Sequence, residues 1–233
     1  MKDYGHYMAE ALPSGEDVIT VHAGESLEDV FILSRDSDKL PYRSIIAERD
    51  SNIRLCIVIL PGVTADVSLQ LYFEGENSEA VLSGVYLCSG NEKVNISTKV
   101  LHRTGKCRST QLFNGIAGGT SHAGFYGTIT VAPDAEKTEA YQSNHNLLVS
   151  DKAKADTKPQ LEIYADDVKC SHGATVGSLN ADEQFYMRSR GIPEEEAKVL
   201  QMISFTAPVL KNITDAAKRE ETAELIERHI RAI

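Results

Sequence analysis

The chain has 233 residues, 42% of them hydrophobic and 25% charged, and a net charge of -10 at neutral pH. Those values describe a globular chain with enough apolar surface for a core, long enough for one large all-β domain or for a β body with a smaller appendage. They exclude a surface built for nucleic acid, which needs a basic face that no run of Lys and Arg supplies here.

No segment approaches the roughly 18 apolar residues of a membrane span, and the first residues lack the basic start and apolar run of a secretory signal. The expected compartment is the cytoplasm, with no membrane partner. There the four cysteines, Cys56, Cys88, Cys107 and Cys170, stay reduced.

Residues 1–16 read as a lead-in ending in Pro13, Ser14 and Gly15. Short β-branched runs follow at 17–22 and 29–33. Residues 53–60 are apolar on both parities, as in a strand buried on both sides. Clear alternation comes next: Val67, Leu69, Leu71 and Phe73 share one face, as do Val94, Ile96, Thr98 and Val100, and Phe125, Ile129 and Val131. Gly and Asn clusters separate the runs, and no fixed period emerges. The pattern predicts a sandwich, barrel or solenoid without choosing among them. The glycine-rich residues 118–124 lack the Gly-Lys-Ser/Thr ending of a phosphate loop and read as a turn. Asp166-Asp167 reads as a turn or edge rather than an acid/base pair, because adjacent strand residues face opposite ways.

Cys170-Ser171-His172 is the only Cys-x-His in the chain. On an extended strand Cys170 and His172 share a face, and thiolate beside imidazole suits iron or zinc. Val168 has the same parity, so that face equally fits an interior with Cys170 as a small apolar group.

After Gly191 the texture becomes helical. Pro193 suits a first turn and Glu194, Glu195 and Glu196 suit its positive end. Pro208 is expected to divide this helix from a second, capped near Asn212 and Asp215. That second helix carries the stripe Ala216, Ala223, Ile226, Ile230 and Ile233. Such helices either fold back on the β body or bind a partner. If the strands are satisfied among themselves, the body should stand without them.

Residues 140–192 closely resemble the SufB/SufD family of iron–sulfur cluster assembly proteins, on the SufD side. The resemblance is carried by Asn146-Leu147-Leu148, Lys158-Pro159-Gln160-Leu161-Glu162-Ile163, Asp167-Val168-Lys169-Cys170-Ser171-His172-Gly173-Ala174-Thr175 and Phe185-Tyr186-Met187-Arg188-Ser189-Arg190-Gly191. It implies a mainly β fold, a right-handed parallel β-helix over 17–191, followed by a small α-helical domain over 192–233 that docks an ABC-type ATPase, SufC. It implies pairing near the Cys170/His172 strand with a SufB-like subunit or a second copy. It also implies a transient, nascent iron–sulfur cluster at that interface, with His172 the stronger metal ligand and Cys170 the weaker. Family members carry a helical region before the β-helix, whereas this chain begins almost at its first strand, and His145 stands where SufD-like sequences often have arginine. The expected role is a non-catalytic scaffold. The alternatives are a tether for the ATPase that holds no cluster, and a carbohydrate-active β-helix enzyme, which the absent Trp and signal disfavour.

Overall fold

In the computed structural model, which describes residues 11–233, twelve strands form two six-stranded parallel sheets. The lead-in expected over 1–16 lies mostly outside the described residues. One sheet runs β1 (Val18–Val21), β3 (Ser44–Ala47), β5 (Ala65–Phe73), β7 (Lys93–His102), β9 (His122–Val131), β11 (Lys154–Ile163). The other runs β2 (Ser26–Leu33), β4 (Asn52–Ile59), β6 (Glu79–Cys88), β8 (Arg108–Ala117), β10 (Glu139–Leu148), β12 (Lys169–Ser178). Consecutive strands alternate between sheets, so each odd–even pair is one coil of a parallel β-helix. The coils differ in length, which is why no period is visible. Bonds between adjacent coils join Asn77 to Asp50, 27 residues apart, and Thr130 to Glu162, 32 apart.

The alternating residues face inward as expected. Val67, Leu69, Leu71, Phe73, Val94, Ile96, Val100, Phe125, Ile129 and Val131 all belong to one internal cluster. In β4 the second parity is buried too, because Cys56 and Val58 join a separate cluster between the even sheet and the helices.

Three helices complete the described chain: α1 (Ala181–Ser189), α2 (Glu194–Leu210) and α3 (Ala216–Ile230). Helix therefore begins before Pro193. Asn180 caps α1, its side-chain oxygen accepting from the backbone N–H groups of Asp182 and Glu183. Pro208 does not divide α2 from α3. It lies inside α2, in the last turn, where its missing N–H costs one bond just before the helix ends. Close by, the Phe205 carbonyl accepts from Asn114 Nδ2 at 2.6 Å, pinning α2 to β8. The break comes at 211–215. Asp215 caps α3 by accepting from Ala217 and Lys218, and Glu28 of β2 accepts from the Thr214 N–H at 2.9 Å.

The α3 stripe folds back on the body. Ile226 and Ile230 are buried beside Met202 and Val209, over Val58, Val85, Leu87 and Ile116. This packing argues against a self-sufficient β body. Deleting residues 193–233 bares that sheet face, and the truncated chain is expected to elute as aggregate in size-exclusion chromatography. A monodisperse truncated chain would contradict the packing account.

His102 sits fully inside the coil, stacked on Phe73 with ring centroids 4.3 Å apart and with Nε2 2.8 Å from Ser109 Oγ. Burial pushes its pKa down to about 3. The ring is neutral when folded, while the unfolded chain protonates it below about 6.5. Its contribution is therefore fully present above pH 6.5 and is lost as pH falls toward 3, by about 1.4 kcal/mol per unit. Unfolding free energies from urea titrations at pH 7 and pH 5 should differ by about 2 kcal/mol more in the native chain than in His102→Phe. Equal pH dependence in the two would refute this.

Candidate metal centre

The last strand, β12, is an edge, paired only with β10. Cys170 stands opposite Ala140 and His172 opposite Gln142. Ala140 and Gln142 are buried inside the coil, so parity turns Cys170 and His172 to the same inward side, while Ser171 faces out. The two differ in what covers them. Cys170 is half-buried and packs on the internal cluster, and burial raises its thiol pKa. His172 is exposed, on the terminal rung of its sheet, with no further strand beyond it among the described residues.

Both sequence readings of Cys170 therefore have a structural counterpart: it shares a face with His172, and it is part of the core's margin. Among the described residues no group of three or more His, Cys, Asp and Glu side chains could hold a metal. One chain offers a thiol and an imidazole, two donors where a tetrahedral metal takes four. The other cysteines are buried, with Cys56 pushed up to about 11 and Cys88 to about 12 by burial, and thiols so protected are poor ligands.

The neighbouring features fall largely as read, except that residues 122–124 of the expected turn belong to β9. Asp166 and Asp167 lie in the bend between β11 and β12, where the Asp167 carbonyl accepts from the Lys137 N–H at 2.6 Å. Residues 118–120 turn between β8 and β9, with the Gly118 N–H donating to the Cys88 carbonyl. His145 faces outward, its Nδ1 2.8 Å from Thr175 Oγ1, and so helps hold β12 onto β10.

Two features went unread. Beneath β12 the inward face of β10 is polar, with Gln142, Asn144 and Asn146 all buried. Polar residues on alternate positions read as an outer face, so no periodicity could have announced them. Beside β12, α1 presents Phe185 at 72% exposure and Tyr186 at 59%. A groove of about 680 Å³ runs between α1 and α2, lined by Leu147, Leu179, Tyr186, Met187, Leu200 and Phe205. No helix among the described residues is long and apolar enough to cross a membrane.

A parallel β-helix followed by C-terminal helices is the architecture that the resemblance to SufB/SufD-type proteins implied. The family model "SUF system FeS cluster assembly, SufBD core domain" matches residues 25–205, and the chain belongs to that family. Within it the similarity is to SufD. The chain is 39% identical to the iron–sulfur cluster assembly protein SufD of Escherichia coli over 163 residues, covering 70% of this chain and 38% of that protein. It is 32% identical over 200 residues to a SufBD family protein of Synechocystis, covering 84% of this chain and 44% of that one. Bacillus subtilis SufD is 29% identical over 185 residues, covering 78% and 42%. The chain thus spans less than half the length of these three relatives.

Proposed function

We propose that the chain is a non-catalytic scaffold subunit of SUF-type iron–sulfur cluster assembly, and that the nascent cluster is its cargo. The observation that carries this reading is the terminal strand, where an exposed imidazole and a thiol share the inward face of a rung that nothing covers. Two donors are too few for a closed site, so a second subunit would supply the others, either a SufB-like chain or another copy of this one. An unpaired edge strand favours such pairing. His172 is the stronger ligand, being exposed. Cys170 must first lose a proton that burial helps it keep. Anaerobic reconstitution with iron and sulfide, with and without a SufB-like partner, tests the scaffold role through bound iron. No bound iron in either case would favour the second reading, a tether for the ATPase that holds no cluster, which the packing of Cys170 on the core supports.

Docking of a SufC-like ATPase is assigned to the helical region. Because the α3 stripe is spent on the β body, the contact surface is expected on α1, where Phe185 and Tyr186 stand exposed beside the groove. Exposed aromatic anchors of this kind contribute about 2 kcal/mol or more each when a partner buries them. Phe185→Ala with Tyr186→Ala should weaken ATPase binding by about several hundred-fold or more by calorimetry while leaving the melting temperature unchanged. Native affinity in the double variant would move the docking surface elsewhere.

A further inference from the structure

The inward row that ends at His172 runs Leu82, Gln111, Gln142, His172 across β6, β8, β10 and β12. Gln111 and Gln142 are each 1% exposed. Gln111 Oε1 accepts from Thr98 Oγ1 at 2.7 Å. Gln111 Nε2, both carboxamide atoms of Gln142, and Thr157 Oγ1 on the facing sheet are buried without hydrogen-bond partners. Buried polar atoms are almost always paired, and one left unpaired is costly. An apolar side chain of the same length would avoid that cost, and the fold makes deliberate room for the carboxamide. Opposite it stands Gly127, where a Cβ would lie 2.2 Å from Gln142 Nε2.

The group that could use this carboxamide is at the open end of the row. His172 is the register partner of Gln142, and paired strands lie about 4.8 Å apart. An imidazole that binds a metal through one nitrogen carries a proton on the other, and that N–H is normally given to a carbonyl or carboxylate oxygen. A carboxamide oxygen has two lone pairs and its nitrogen two protons.

We propose that Gln142 is the positioning residue for His172, its carboxamide oxygen accepting the ring N–H that the metal does not use. The same oxygen accepts a hydrogen bond from Gln111 Nε2, and Gln142 Nε2 donates to Thr157 Oγ1. One arrangement thereby gives partners to all four unpaired atoms. It sets the tautomer of His172 through a row anchored two coils deeper at Thr98. This inference rests on the reading of His172 as a ligand.

The test is anaerobic Fe(II) titration of the full chain, by itself and with a SufB-like partner, comparing the native chain with His172→Ala, Gln142→Met and Gln142→Glu, alongside melting temperatures and imidazole ¹⁵N spectra of the metal-free proteins. His172→Ala should remove the site. Gln142→Met should weaken Fe(II) binding 10- to 100-fold, mix the ring tautomers of His172, and lower the melting temperature, because Gln111 Nε2 and Thr157 Oγ1 lose their partner. Gln142→Glu should restore affinity, since its carboxylate accepts the same N–H. Native affinity in Gln142→Met, with binding lost in His172→Ala, overturns the positioning role and leaves the ligand reading standing. Native affinity in His172→Ala ends the ligand reading and this inference with it. An unmixed His172 tautomer in Gln142→Met, with no recovery of affinity in Gln142→Glu, assigns Gln142 to structure alone and also overturns the proposal.

Discussion

Gly115→Ala is expected to destabilise the fold by about 3–5 kcal/mol, combining overpacking with broken buried hydrogen bonds. Tyr86, Gly115 and Asn146 stand in one inward row on β6, β8 and β10. Tyr86 reaches over the glycine to its partners two strands away. Its hydroxyl donates to Asn146 Oδ1 at 2.6 Å and accepts from Asn144 Nδ2 at 2.9 Å. A Cβ at Gly115 would lie 1.9 Å from Tyr86 Cε2 and 2.6 Å from Asn146 Oδ1. The ring must then move, leaving two asparagine side chains short of a partner in a site from which water is excluded. Because a domain of this kind is stable by only about 5–15 kcal/mol, the loss would show as a large fall in the urea midpoint. Removing the ring as well, in Gly115→Ala with Tyr86→Ala, should cost less than the two single changes added together. Additive losses would mean that the two residues do not meet as described.

That network marks the boundary of what the sequence discloses. Strands with an apolar inward face, such as β5 and β7, are legible because parity separates Val67, Leu69 and Leu71 from Ser68 and Gln70. β6 is buried on both faces, so parity carries no contrast there. β10 puts Gln142, Asn144 and Asn146 inside, which inverts the usual contrast. The stacking order is carried by coil-to-coil register, and turns of unequal length erase the repeat that would have revealed it. Helix α1 is short, with a polar N-terminal half and no buried residue, so it offered no apolar stripe to read. That Cys170 and His172 share a face followed from spacing alone; that the face is inward came from their register with buried Ala140 and Gln142. Their unequal exposure did not follow from spacing, because it depends on β12 being the last strand of its sheet.

The second large effect concerns that unequal pair. His172 is exposed and makes no contact on which the core depends, so His172→Ala should leave the melting temperature within about a degree of native, as surface substitutions do. If His172 is a ligand, the same change should remove most of the iron retained after reconstitution. Cys170→Ser should act the other way round. It places a hydroxyl where a thiol packs on the core, costing about 1 kcal/mol, with a smaller loss of iron. The direct measurement is iron and acid-labile sulfide per chain, alongside the melting temperature, for native, His172→Ala and Cys170→Ser proteins reconstituted together with a SufB-like partner. The scaffold account predicts a His172→Ala protein that is fully folded and nearly free of iron; native iron content in that protein would contradict it.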